Sequence, residues 1–87
     1  MARIVPRSLL LNAKRINLPI ALLVIESGEI WSVSGYVLHV YEDRFVFQFF
    51  GSDGRTPAGQ RSIEQVAVER VTTDSIFATG RRILWQR

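Results

Sequence analysis

His39 is the single histidine of the chain, and cysteine is absent. Acid–base or nucleophilic catalysis therefore has few candidates. His39 lies within a strand-like stretch, where an imidazole is ordinarily a surface residue or a satisfied core residue. Glu26 and Glu29 are the nearest approach to paired carboxylates, but they flank Ser27-Gly28, and acids beside a turn glycine are ordinarily solvated. The glycine-containing stretch at residues 51–59, GSDGRTPAG, lacks the lysine and the strand-to-helix setting of a phosphate loop. No histidine, cysteine or carboxylate spacing suits a metal. The sequence thus points away from an enzyme, and no cofactor or metal is expected.

The remaining chemistry is charge and aromatic surface. Residues 1–25 contain Arg3, Arg7, Lys14 and Arg15 and no acid. Residues 26–74 contain every acid of the chain, and Arg81, Arg82 and Arg87 follow. The net charge is +3, and only Lys14 among the 11 basic residues is lysine. Arginine suits forked contacts to phosphate and stacking on bases, although a compositional bias toward arginine produces the same excess. Arg44-Phe45, directly after Glu42-Asp43, places a cation and an aromatic side by side at the corner of a strand pair.

The chain must be small and mostly β to position these residues. Eighty-seven residues allow one domain (1–87), and 47% of them are hydrophobic. That is more apolar surface than a lone small core hides, so oligomerisation is expected. The longest apolar run, residues 18–25, is far short of the roughly twenty residues of a spanning helix. No apolar stretch leads to a small-residue cleavage site, so neither a membrane segment nor a secretory signal is expected. The lack of cysteine fits a cytoplasmic protein.

Leu9, Leu10, Ala13 and Ile16 recur at helical spacing, and Pro6 or Ser8 can start that helix. Pro19 ends it, giving a helix at about residues 8–16. Strands are expected at residues 20–25 and 30–41, joined by a turn at Gly28, and at residues 45–50 after a turn at residues 42–44. In residues 30–41 the apolar side changes face, and Gly35 marks the bend that lets one strand pass between two parts of a curled sheet. Residues 51–59 form a loop, and residues 63–66 and 67–72 two short strands. Residues 76–87 are either a sixth strand or a segment docked on the barrel. The expected fold is an N-terminal α-helix followed by a strongly bent five-stranded small barrel at about residues 19–72, with a C-terminal extension at about 75–87.

This order of elements, together with several junction residues, resembles the Sm-like fold and within it the Hfq RNA chaperones. Leu11-Asn12-Ala13-Lys14-Arg15 resembles the family's leucine-asparagine-alanine and basic segment. Leu18-Pro19-Ile20 is similar to the entry to its first strand. Gly28 and Gly35 resemble its two motif glycines, two residues further apart than usual. Glu42-Asp43-Arg44-Phe45-Val46 resembles the junction of its second and third strands. Residues 65–68, QVAV, stand where the family carries lysine-histidine-alanine-isoleucine. The likeness covers about residues 8–72.

The resemblance implies a non-catalytic protein whose fourth and fifth strands pair between copies to close a homo-oligomeric ring, six-fold in Hfq. It implies single-stranded, uridine-rich RNA as the partner, in RNA-chaperone or riboregulatory work. Phe45 would stack on a base, Arg44 would bond to base or phosphate, Gln65 would hydrogen-bond a base edge, Lys14 and Arg15 would form a basic rim, and Asn12 would join the RNA-binding residues. Gln65 and Val66 replace the lysine-histidine pair of the uridine pocket, and Phe45 also opens a run of alternating aromatics that reads locally as core. The alternative is a small SH3-like barrel acting as a protein-interaction or structural ring without RNA binding.

Overall fold

The structure, a computed structural model, describes residues 3–74 and 82–87. Helix α1 (Arg7–Arg15) is followed by strands β1 (Ile20–Glu26), β2 (Glu29–Val40), β3 (Arg44–Phe50), β4 (Pro57–Glu64), β5 (Val68–Thr73) and β6 (Ile83–Gln86), with a 3-10 turn, Gln65–Ala67, between β4 and β5. The strands form one open antiparallel sheet in the order β4-β3-β2-β1-β5-β6. The molecule is therefore mostly β with an N-terminal helix, as expected.

Helix α1 starts after Pro6, whose extended backbone leaves its carbonyl to accept from Leu9 N (3.1 Å) and Leu10 N (3.4 Å). It buries Leu10 and Ala13 and leaves Ile16 exposed. Its end is set by Asn17, at φ 53°, as Leu18 N donates back to Ala13 O (2.9 Å). Asparagine tolerates this left-handed geometry better than most residues do. At the β1–β2 hairpin, Ser27 (φ 51°) and Gly28 (φ 78°) sit between the paired Glu26 and Glu29. Two positive φ values in a two-residue loop match the right-handed twist of the flanking strands.

Gly35 is the pivot of the sheet. It pairs with Ile20 of β1 and also with Phe49 of β3, so the first half of β2 belongs to one ladder and the second half to another. A Cβ there would overlap the Gln48 carbonyl oxygen and lie 2.8 Å from Phe49 Cα. The expected bend at Gly35 is present. The change of inward face is completed by a bulge between Val37 and His39, after which Val40, opposite Phe45, packs against the core. The concave side collects Leu10, Ile20, Leu22, Val24, Phe45 and Phe47, all nearly inaccessible to solvent.

Two expectations are revised and one open alternative is decided. First, residues 57–62 belong to β4, where a loop was expected up to residue 59, and the short strands expected at 63–66 and 67–72 become the end of β4, the 3-10 turn and β5. The composition of PAGQRS reads as loop, but pairing with the aromatic strand β3 overrides it, and Pro57 stands at the first position of an edge strand, where its missing N–H costs nothing. Second, residues 83–86 form a sixth strand; the preceding part of the expected C-terminal extension, residues 75–81, lies outside the described residues. Third, the outer edge of β5 is occupied. Arg70, Val71 and Thr72 pair with Gln86, Trp85 and Ile83, and Arg87 N donates to Glu69 O (2.9 Å). The Arg87 guanidinium donates to the carbonyls of Val66 and Val68 and lies 3.3 Å from Glu69. Among the described residues the sheet's open edges are thus β4 and β6, where the family resemblance implied β4 and β5.

Side chains connect β4 with the far side of the curl. Arg61 lies 4.4 Å from the Trp31 ring centroid and 2.6 Å from Glu26 Oε1. In the β3–β4 loop, Asp53 accepts from Arg55 N (2.9 Å), Thr56 N (2.8 Å) and the Thr56 hydroxyl. The Thr56 hydroxyl, then these backbone N–H groups, hold its carboxyl down at about 2.

Gly35→Ala is expected to lower folding stability by about 3 kcal/mol, read by urea denaturation, because backbone must move to admit the methyl. Because the folded carboxyl is depressed, the loop's stabilisation by Asp53 is complete above about pH 4 and is lost as pH falls through about 2. An NMR titration of the Asp53 carboxyl carbon is expected to show that low midpoint.

Candidate nucleic-acid interface

The β2–β3 corner, residues 41–44, is built by three hydrogen bonds. Tyr41 N donates to Arg44 O (2.8 Å) and closes the turn. Gln65 then clamps it from the other side: its backbone N donates to Asp43 O (3.0 Å) and its side-chain Nε2 to Tyr41 O (3.0 Å). The clamp follows from register. Arg44 pairs with Glu64 at the end of the β3–β4 ladder, so the next residue, Gln65, is delivered to the corner as the chain enters its 3-10 turn. Gln65 is buried, and its amide meets a carbonyl that would otherwise be left without a protein partner. Structurally, Gln65 fixes the corner.

Phe45 points into the core. It is 0% exposed, meets Phe47 edge to face at 6.3 Å between centroids, and stands opposite Ile63 and Val40 in the two flanking ladders. It has no face to offer a base. The aromatic exposed at the corner is Tyr41, at 49%, with the Arg44 guanidinium carbon 5.8 Å from its ring centroid. The His39 ring lies 6.4 Å from it, tilted by 42°. Glu42, Asp43 and Glu64 are exposed around the same corner, so Arg44 is outnumbered by carboxylates there. Arg44, Glu64 and the half-exposed Val66 also border an open groove of about 520 Å³.

Asn12, Lys14 and Arg15 are all exposed on α1, and Arg15 donates to Asn12 Oδ1 (2.7 Å). Among the described residues Arg7, Lys14 and Arg15 have no carboxylate partner, whereas Arg61 and Arg87 pair with Glu26 and Glu69. The structure therefore gathers Arg44, Phe45 and Gln65 at one corner, with only Arg44 presenting its functional group outward. Lys14 and Arg15 form a separate basic surface on the helix, with Asn12 accepting from Arg15 beside them. Sequence reasoning missed Tyr41. Its signal was its place directly after Val40, which packs inward, and directly before the turn; reading it required knowing that a bulge shifts the alternation.

No group of three or more potential metal ligands occurs among the described residues, and no helix among them is long and apolar enough to cross a membrane. Comparison of the chain with protein-family models, curated proteins and solved structures finds no match.

Phe45→Ala is expected to cost about 3–5 kcal/mol of stability, and Gln65→Ala about 1–3 kcal/mol through the unsatisfied Tyr41 carbonyl. Chemical denaturation without any ligand checks both. A stably folded Phe45→Ala variant with an unchanged midpoint would contradict the core assignment.

Proposed function

We propose that this chain is a non-catalytic, Sm-like RNA-binding protein of the Hfq type, in which a strongly bent small barrel carries single-stranded RNA on a basic helical surface. The observation that carries the reading is the exposed set Arg7, Lys14 and Arg15 on a helix without any acid, with no ion-pair partner among the described residues. Unpaired surface cations attract a phosphate backbone and release its counterions. The bend at Gly35 and the neighbouring strands β4-β3-β2-β1-β5 support the barrel reading. The chain acts in the cytoplasm as an RNA chaperone or riboregulator and works as a head-to-tail homo-oligomeric ring of the six-fold Hfq kind. With β5 covered, β4 of one copy pairs with β6 of the next, satisfying the two remaining open edges.

A uridine pocket of the Hfq kind is no part of this proposal. Phe45 is buried, Gln65 is committed to Tyr41, and Val66 offers no hydrogen bond. These same features favour a second reading, an SH3-like barrel that serves as a protein-interaction or structural ring without RNA.

Fluorescence anisotropy with short uridine and adenosine oligonucleotides separates the two. Binding is expected to strengthen as salt is lowered. Replacing both Lys14 and Arg15 by alanine is expected to reduce the slope of log affinity against log salt by about 1.4, from roughly 0.7 per single-strand phosphate contact. No binding of either oligonucleotide at micromolar protein and low salt would exclude the RNA reading. Light scattering is expected to give a multiple of the 9.9 kDa subunit; a monomer at high concentration would exclude the ring.

A further inference from the structure

We propose that the convex face of the sheet, over β2, β1, β5 and β6, holds a binding groove for an aliphatic monocarboxylate, with Arg70 as the carboxylate's partner. This site does not depend on RNA binding.

Ala21, Leu23, Ser32, Arg70, Thr72 and Ile83 line a groove of about 340 Å³ on this face. Register brings them together. Leu23 stands opposite Ser32 in one ladder and Arg70 in the other, while Thr72 stands between Ala21 and Ile83. Four neighbouring strands thus contribute to two adjacent rows of side chains. The volume is at the small end for organic ligands, which suits a molecule of few atoms.

Arg70 gives the groove its chemistry. β5 is an interior strand, so this side chain rises from the middle of the sheet and not from an edge. Arg70 is half-buried, yet no carboxylate pairs with it among the described residues. Arg61 and Arg87, by contrast, are paired with Glu26 and Glu69. None of the residues lining the groove is acidic. A guanidinium that has given up part of its hydration without a counter-charge favours an anion, and its planar fork fits a carboxylate through two parallel hydrogen bonds.

The surroundings select the rest of the ligand. Beyond Leu23, Ile25 and Ile30 form a cross-strand pair and are 40% and 69% exposed. Residues two apart on a strand share a face about 7 Å apart, so an apolar stripe leads from the groove toward the β1–β2 hairpin. One cation at the head of such a stripe matches a single carboxylate on an aliphatic chain. A nucleic-acid backbone would engage Arg70 and leave the isoleucines in water. Each methylene laid on the stripe leaves water, so affinity rises with chain length.

Octanoate is the probe, read by methyl chemical shifts of the full chain labelled at leucine and isoleucine. At millimolar concentration it is expected to shift Leu23, Ile25 and Ile83 and to bind more tightly than butyrate. Octan-1-ol, which keeps the tail and lacks the charge, is expected to bind the unmodified protein about tenfold more weakly, a comparison that needs no variant. Arg70→Gln is expected to weaken octanoate by a similar factor and leave octan-1-ol unchanged. Equal binding of octanoate and octan-1-ol, shifts confined to other residues, or full affinity in a folded Arg70→Gln protein overturns the site. So do groove methyls that octanoate leaves unmoved, or that shift with protein concentration alone, which marks the face as a contact between copies.

Discussion

The fold depends on a backbone contact that only glycine permits. At Gly35 one residue takes part in two ladders, with Ile20 on one side and Phe49 on the other, while the Gln48 carbonyl occupies the space of a side chain. From that contact the twelve-residue β2 can turn its second half away from β1. The turn creates the concave side that holds Leu10 of the helix against the inner faces of the strands. It also sets the start of β3, and hence the corner at residues 41–44. A straight β2 would leave Phe45 and Phe47 on an open sheet, with no opposing wall to bury them. The bulge after Val37 then completes the change of face that brings Val40 onto the core.

Once the corner is set, its residues divide between structure and surface. Phe45 and Gln65 both turn inward, one into the core and the other onto the Tyr41 carbonyl. Tyr41 and Arg44 are left outside. The same economy governs the edges. β6 pairs with β5 and is fixed by the buried Trp85, whose ring Arg3 approaches to 5.6 Å, and by the contacts of Arg87 to Val66, Val68 and Glu69. A short strand so anchored covers the six-residue edge of β5 and leaves a four-residue edge in its place. Among the described residues, strand pairing with another chain is open only to β4 and the far side of β6.

Much of this was legible in the sequence because it rested on local chemistry. Gly28 announced the hairpin, Pro19 the end of the helix, and Gly35 the bend. Leu10 and Ala13 lie on the buried side of α1, as their spacing required. What was not legible depended on tertiary pairing. Nothing in PAGQRS says strand until β3 lies beside it. Nothing in the alternation of residues 36–41 reveals a bulge, so the outward position of Tyr41 stayed hidden. Gln65 looked like a group available to a ligand because its partner, the Tyr41 carbonyl, is 24 residues away in the chain. For Phe45 the plain alternation of aromatics pointed to the core, and the family resemblance pointed to a base platform; the burial agrees with the alternation.

In the proposed function, RNA meets the outward-facing cations of the helix while the aromatic core stays closed. Amide chemical-shift mapping of the isotopically labelled chain with a short single-stranded oligonucleotide tests it most directly. The account predicts shifts concentrated at residues 7–15, with the core amides of Phe47, Leu22 and Val71 unmoved. Shifts centred on the core, shifts confined to β4, or none at saturating RNA would contradict it.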